Sequence, residues 1–415
     1  MKPTEHTDIA IIGAGPSGAA AAAWLAGRGH QVRVFERGHF PRFSIGESLL
    51  PQCMPHLEAC GLLEFVANAG YQHKNGAAFC RREEYTAIDF RHKFSDGPGT
   101  TWQVERADFD QRLIEGAMTL GARVDFGVTV TDFDADPQAP GLEVVNEQGE
   151  QSRIQARFVL DASGYGRVLA RLEQLDRPSS LAPRAALFTH VEDHITATDH
   201  DRDKILIGIH PQHPSIWYWL IPFSNGRASV GVVGEPERID AVAADDSARL
   251  QALLGQEPRF ARVLENSRPV RDVQRLAGYS ADIERLHGPG FAILGNAGEF
   301  LDPVFSSGVT IALDSALRAA PLVERQLQGE NIDWATQFEI PLREGVATFR
   351  DYVDAWYDGS LQTIIFHQRQ EVRLREMIAS VLAGYAWDTT NPYVAASRRR
   401  LKSLAERCAM DQQPG

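Results

Sequence analysis

Two hydrophobic rhythms share this chain. Asp8-Ile9-Ala10-Ile11-Ile12 is a short apolar run, suited to a strand buried on both faces. Gly13 to Gly18 follows as a turn, and the alanine-rich stretch Ala19 to Ala26 predicts a helix stopped by Gly27 and Gly29. Gln31 to Phe35 is the next buried strand, ended by Glu36. From Phe126 to Ala156 the pattern turns to alternation, through Val128-Thr129-Val130-Thr131, Leu142-Glu143-Val144-Val145 and Ile154-Gln155-Ala156, with turn residues between. That predicts a small antiparallel sheet. Arg157 to Asp161 returns to a buried parallel strand. Residues 184–276 alternate again, through Ile205 to Ile209, Trp217 to Pro222 and Ala228 to Val233, and predict a larger antiparallel sheet. Phe291 to Gly295 is one more buried strand and Val309 to Leu327 a helix. After Asp333 little strand signal remains, so the end of the chain is expected to be helical.

The expected architecture is mixed α/β and α+β. A discontinuous dinucleotide-binding layer (1–70, 100–183 and 277–330) threads through a β-sheet substrate layer (71–99 and 184–276), with a helical region over 331–415. A length of 415 residues fits two or three such units. With 43% hydrophobic and 23% charged residues the chain is globular rather than disordered. The net charge of −13 argues against nucleic acid as a partner. The four cysteines, Cys53, Cys60, Cys80 and Cys408, form no CxxC pair, and His73, His190, His213 and His367 have no metal-site spacing. The longest uncharged run, Ile9 to Gly27, is interrupted by glycines, Pro16 and Ser17 and follows Glu5 and Asp8. It reads as strand, turn and helix, not as a signal or membrane span, and the expectation is a cytoplasmic protein without a membrane span.

Candidate chemistry begins at Gly13-Ala14-Gly15-Pro16-Ser17-Gly18, a G-x-G-x-x-G with a strand before and a helix after. Gly13 permits the tight turn, Gly15 lets a pyrophosphate approach the backbone, and Gly18 lets helix and strand pack closely. The helix start offers free N–H groups and partial positive charge to phosphates. Glu36, 23 residues after Gly13, suits hydrogen bonding to a ribose 2′-OH. Without its strand, helix and acid the glycine pattern would be an ordinary tight turn.

Three further segments resemble FAD hydroxylases. Asp161-Ala162-Ser163-Gly164 looks like their second nucleotide-side turn. Gly295-Asn296-Ala297-Gly298 with Leu301-Asp302-Pro303 is similar to the segment that touches ribityl and isoalloxazine. Arg106 matches the place of a flavin-contacting arginine. Glu47-Ser48-Leu49-Leu50-Pro51, Asp302-Pro303-Val304-Phe305-Ser306-Ser307-Gly308-Val309 and Trp217-Tyr218-Trp219-Leu220-Ile221-Pro222 then resemble flavin-dependent halogenases, in particular the shorter phenol and pyrrole branch. The last segment fits their W-x-W-x-I-P signature. A Trp pair at i and i+2 would otherwise be core packing on one face of a strand. Lys74 lies in Tyr71 to Phe79, similar to the family's F/Y-x-x-K-x-G-x-x-F stretch. Two departures stand out: Asn296 replaces the family's usual Asp, and no glutamate partner for Lys74 can be located.

The resemblance implies an FAD oxidoreductase that modifies an electron-rich aromatic ring, a phenol, pyrrole or indole, free or held by a carrier protein or peptide. It implies FAD contacts at Gly13, Gly15, Ser17, Gly18, Glu36, Arg37, Ser48, Arg106, Asp161, Gly164, Asn296, Asp302, Pro303, Gly308 and Val309. It implies a tunnel at Trp217, Trp219, Ile221, Pro222 and Phe305, halide at Ser307 and Gly308, and a catalytic Lys74. Halogenation then runs through a flavin C4a-hydroperoxide and hypohalous acid, with O2, halide and reduced flavin from a separate reductase. The alternative on the same scaffold is a monooxygenase that hydroxylates the ring. A double-bond reductase similar to geranylgeranyl reductases and a non-catalytic flavin-binding protein are the remaining readings.

Overall fold

The computed structural model describes residues 4–367 and 371–411. Its centre is a six-stranded sheet in the order 287–288, 291–293, 158–161, 9–12, 32–36 and 123–126. All neighbours are parallel except the first pair. Ile9–Ile12 and Phe158–Asp161 are buried at every position, which is why they are unbroken apolar runs in the sequence. The helix Pro16–Ala26 packs between Arg106–Thr119 and Ser307–Leu327. Its small alanines, all buried, let it lie close to its neighbours. The predicted small sheet forms from 128–134, 141–146 and 151–155, and gains a parallel edge strand at Thr4–His6 that alternation over so short a segment could not announce.

The second large sheet takes the order 268–269, 185–192, 227–234, 217–222, 204–209, 76–81 and 84–89, with 274–277 also pairing 185–192. It is antiparallel apart from 204–209 against 76–81. Gln72–Lys74 does not join it. That strand pairs antiparallel with Thr101–Gln103 as a separate two-stranded sheet. The expected strand after Phe291 ends at Ile293, and Gly295–Ala297 form a 3-10 turn instead. Beyond residue 333 the described residues form helices and no strand, as the pattern predicts, and they pack on both layers. Trp334 stacks on Phe158 of the parallel sheet at 4.9 Å, while Trp356 meets Phe79 of the second sheet at 6.2 Å. No helix among the described residues is long and apolar enough to cross a membrane.

Candidate functional site

One cavity of about 350 Å³ runs between the two layers, from the glycine turn to the aromatic strand. At the first end, Gly13 has φ +94 and an added Cβ would lie 2.6 Å from Ala162 O, so only glycine fits. Its N–H donates to Phe35 O at 2.8 Å, tying turn to strand. Gly15 caps the helix without a side-chain bond, Pro16 occupies the first turn, and no acid lies there to neutralise the exposed N–H groups. Glu36 accepts from Ala14 N–H and Gly38 N–H, both at 3.0 Å, which aims its carboxylate at the cavity wall. Arg42 reaches over the same turn, 3.7 Å from Glu36.

Three features of the cavity wall fit FAD. A Cβ on Gly15 would meet nothing nearer than Arg42 Nη2 at 3.7 Å, so the backbone is open to an approaching phosphate. Arg42 Nε is buried without a partner, and so is Asn296 Oδ1, farther along the wall. Unpaired buried donors and acceptors of this kind are costly unless a ligand meets them.

The middle of the cavity is held by Arg106. Its Nε and Nη2 grip Asp110 at 2.7 and 2.9 Å, and Nη1 donates to Ile45 O at 2.7 Å, clasping the segment 42–48 over the site. At the far end, strand alternation decides the lining. Trp217, Trp219 and Ile221 face the cavity with Ile205 from the neighbouring strand, while Tyr218 and Leu220 enter the core on the other face. The two indoles lie 5.8 Å apart, and Trp219 Nε1–H donates to Ser229 at 3.0 Å.

Most residues expected at the site converge there: Gly13, Gly15, Ser17, Glu36, Arg37, Ser48, Arg106, Gly164, Asn296, Pro303, Gly308, Val309, Trp217, Trp219 and Ile221 all line the cavity. Six others lie behind the wall. Gly18 is the packing glycine, since a Cβ there would fall 2.0 Å from Gly13 O. Asp161 spends both oxygens on the amides of Ser163 and Leu169, which shape the turn. Asp302 accepts from Val304 N–H and Tyr357 O–H. Phe305 packs edge-on against Tyr352 and Trp356. The carbonyl of Pro222 receives Gln103, and Ser306, not Ser307, faces the cavity beside Gly308.

Lys74 is also behind the wall, with no exposed surface. Its Nζ donates to Ser48 Oγ and Leu49 O, each at 2.7 Å, and lies 5.5 Å from the Phe90 ring. Among the described residues no carboxylate pairs with it. Burial pushes its ammonium down to about 7, opposed only weakly by Cys53. Ser48 lines the cavity, so the ammonium stands one side chain from it. Sequence reasoning missed Arg42, Phe43, Glu47, Tyr165 and Phe300 in the lining. Glu47 was in view beside Ser48, but its partner is His190 at 2.7 Å, 143 positions away and also buried. Arg42 and Phe43 carried no pattern of their own.

Residues 6–252 match the family model described as FAD binding domain. A 1H-pyrrole-2-carbonyl-(peptidyl-carrier protein) chlorinase of Pseudomonas fluorescens is 29% identical over 393 residues, 88% of this chain and 87% of that one. A flavin-dependent halogenase of Armillaria mellea is 31% identical over 358 residues, 78% of this chain and 68% of that one. The solved structure of a flavoprotein/dehydrogenase from Cytophaga hutchinsonii superimposes with a TM-score of 0.95 at 39% identity, over 99% of this chain and 100% of that one.

Proposed function

The chain belongs to the flavin-dependent halogenases within the FAD binding domain family, and on that premise we propose that it halogenates an electron-rich aromatic ring, a phenol, pyrrole or indole, free or held by a carrier protein or peptide. Bound FAD, once reduced, supplies the activation of O2 that turns halide into an electrophile. The turn at Gly13 to Gly18, with Glu36 and Arg42, holds the dinucleotide end, and Arg106 keeps the 42–48 segment closed over it. Gly308 and Ser306 offer the helix start where a halide would sit. Trp217, Trp219 and Ile221 present an apolar wall that excludes water.

The single observation that carries the reading is Lys74. An ammonium fully enclosed, bonded to a hydroxyl and a carbonyl rather than a carboxylate, is poised to give and take a proton near neutral pH. Such a group serves to hold and aim a halogen electrophile, with Ser48 as the link to the cavity. The carrier-bound pyrrole named for the Pseudomonas relative supports a tethered substrate. Supply of reduced flavin by a separate reductase is part of the proposal: no second strand–GxGxxG–helix turn occurs in the sequence.

Hydroxylation is the second reading. It draws on one observation: Lys74 is not itself in the cavity wall. Turnover with reduced flavin, O2 and bromide over phenol, pyrrole and indole substrates, followed by product mass, tests the two. Bromine in place of hydrogen, with its paired isotope pattern, is expected. A product gaining only oxygen with bromide present overturns halogenation.

A further inference from the structure

Asp302 was expected to touch the cofactor, yet its carboxylate is turned the other way, into a buried network. Oδ1 accepts from the Val304 amide at 3.0 Å and Oδ2 from the Tyr357 hydroxyl at 2.8 Å. Tyr357 Oη in turn accepts from Trp217 Nε1–H at 3.0 Å. The chain of three joins parts of the fold that are distant in sequence: the loop before the Ser307–Leu327 helix, the end of the Ile340–Tyr357 helix, and the aromatic strand. Two of its connections reach the cavity directly. Pro303, next to Asp302, lines the flavin side, and Trp217 lines the apolar side.

Charged and aromatic groups flank the network. The Arg184 guanidinium lies 4.1 Å over the Tyr357 ring and pairs with Glu235 at 2.9 Å. Tyr279 stands against Asp302 from another segment, and its buried hydroxyl faces the carboxylate and favours the charged form. Trp217 has one donor to place, and a buried indole N–H left unpaired is costly. Its acceptor is Tyr357, so the tyrosine sets which way the indole faces. Trp219 has its own anchor in Ser229 and does not share this one.

We propose that Asp302 and Tyr357 are positioning residues that hold the Trp217 indole in the cavity wall, and so keep the flavin side and the apolar side of the site in register. The geometry stands whatever the reaction, and only the consequence for turnover rests on the halogenase reading. Removing the anchor lets the indole turn, and oxygen is then consumed without product. The anchor also has a pH window. Burial raises the Asp302 carboxyl to about 6, against the Tyr357 hydroxyl, the Val304 amide, Arg184 and the Tyr279 hydroxyl, which lower it. Above that value the carboxylate accepts strongly from Tyr357; below it a neutral carboxyl accepts more weakly.

The test reads the indole itself. In protein grown with 5-fluorotryptophan, the resonance lost in Trp217→Phe identifies Trp217 among the seven tryptophans. In the wild type it is expected to shift between pH 5 and 8, with a midpoint near 6. Tyr357→Phe should move the resonance and abolish the shift, and Asp302→Asn should abolish it too. If the asparagine variant does not fold, Tyr357→Phe carries the test, since it removes only a hydroxyl from a half-buried residue. Product formed per O2 consumed should fall roughly 10- to 100-fold in Tyr357→Phe, as for other small misplacements of a positioned group. A Trp217 resonance that stays constant over this range in the wild type, or one that titrates unchanged in Tyr357→Phe, overturns the proposal. No halide or substrate is needed for the resonance, so a chain that makes no halogenated product but shows the transition refutes the proposed reaction and leaves the anchor standing.

Discussion

Lys74 shows how far one residue departs from its ordinary behaviour when packing surrounds it. A lysine in water stays charged to well above neutral pH, whereas here burial brings the group down to about 7. The sign of the stability effect follows. Between about 7 and the unfolded value the unfolded chain binds a proton that the folded chain does not. Stability contributed by this group therefore rises with pH across that interval, with a limiting slope of about 1.4 kcal/mol per pH unit. Lys74→Met should flatten that part of the profile, and denaturant melts at successive pH values would show it. In function, Lys74→Ala should leave flavin bound and O2 consumed while halogenation drops by ~10²–10⁴-fold. Lys74→Arg should fail as well, because a guanidinium keeps its proton at neutral pH. Near-normal halogenation by the alanine variant would remove Lys74 from the reaction.

The strand Trp217–Pro222 is the element on which the site turns. Its alternation sends two indoles and Ile221 to the cavity and Tyr218 and Leu220 to the opposite core. The neighbouring strand makes room for this. A Cβ on Gly231 would lie 2.3 Å from the Trp219 ring, so glycine there is a requirement of the Trp219↔Gly231 pairing. Gly231→Ala should push the indole toward the cavity and destabilise by about 1–3 kcal/mol, as overpacking does. The same variant should lower product formed per O2 consumed. A fall in melting temperature with unchanged coupling would mean that the Trp219 ring packs but does not shape the reaction space.

At the scale of the molecule, the cavity exists only because two sheets meet across it. A ligand that bridges them and binds only the folded chain stabilises it by mass action, by about 2.7 kcal/mol at a hundred times its dissociation constant. FAD should raise the melting temperature of the stripped protein in a concentration-dependent way. Gly15→Glu places a carboxylate where the wall is open to phosphate and should abolish that increment while the stripped protein melts as before. Calorimetry with and without FAD measures both. An unchanged increment in the variant would place the pyrophosphate elsewhere.

How much of this could be read in advance differs between the two sheets and the space between them. The parallel strands were legible because burial on both faces leaves unbroken apolar runs such as Ile9–Ile12 and Phe158–Asp161. The glycine turn and Glu36 were legible because backbone approach to a phosphate admits few residues at these positions. The edge strand Thr4–His6 and the pairing of Gln72–Lys74 with Thr101–Gln103 were not, since segments this short owe their state to a neighbour rather than to a rhythm of their own. The residues of the cavity divide the same way. Short motifs named Gly15, Arg106, Asn296, Trp217 and Trp219, but direction is a tertiary property. The same Asp302-Pro303 pair puts Pro303 in the wall and turns Asp302 to Tyr357, 55 positions on. Glu47 meets His190 rather than Lys74, and Arg42 comes to lie over a turn that its own sequence neighbours do not mention. Local spacing determined which backbone could receive a dinucleotide. Only the packing of one layer on the other decided which side chains face it, because a side chain's surroundings are set by residues that the chain brings back from far away.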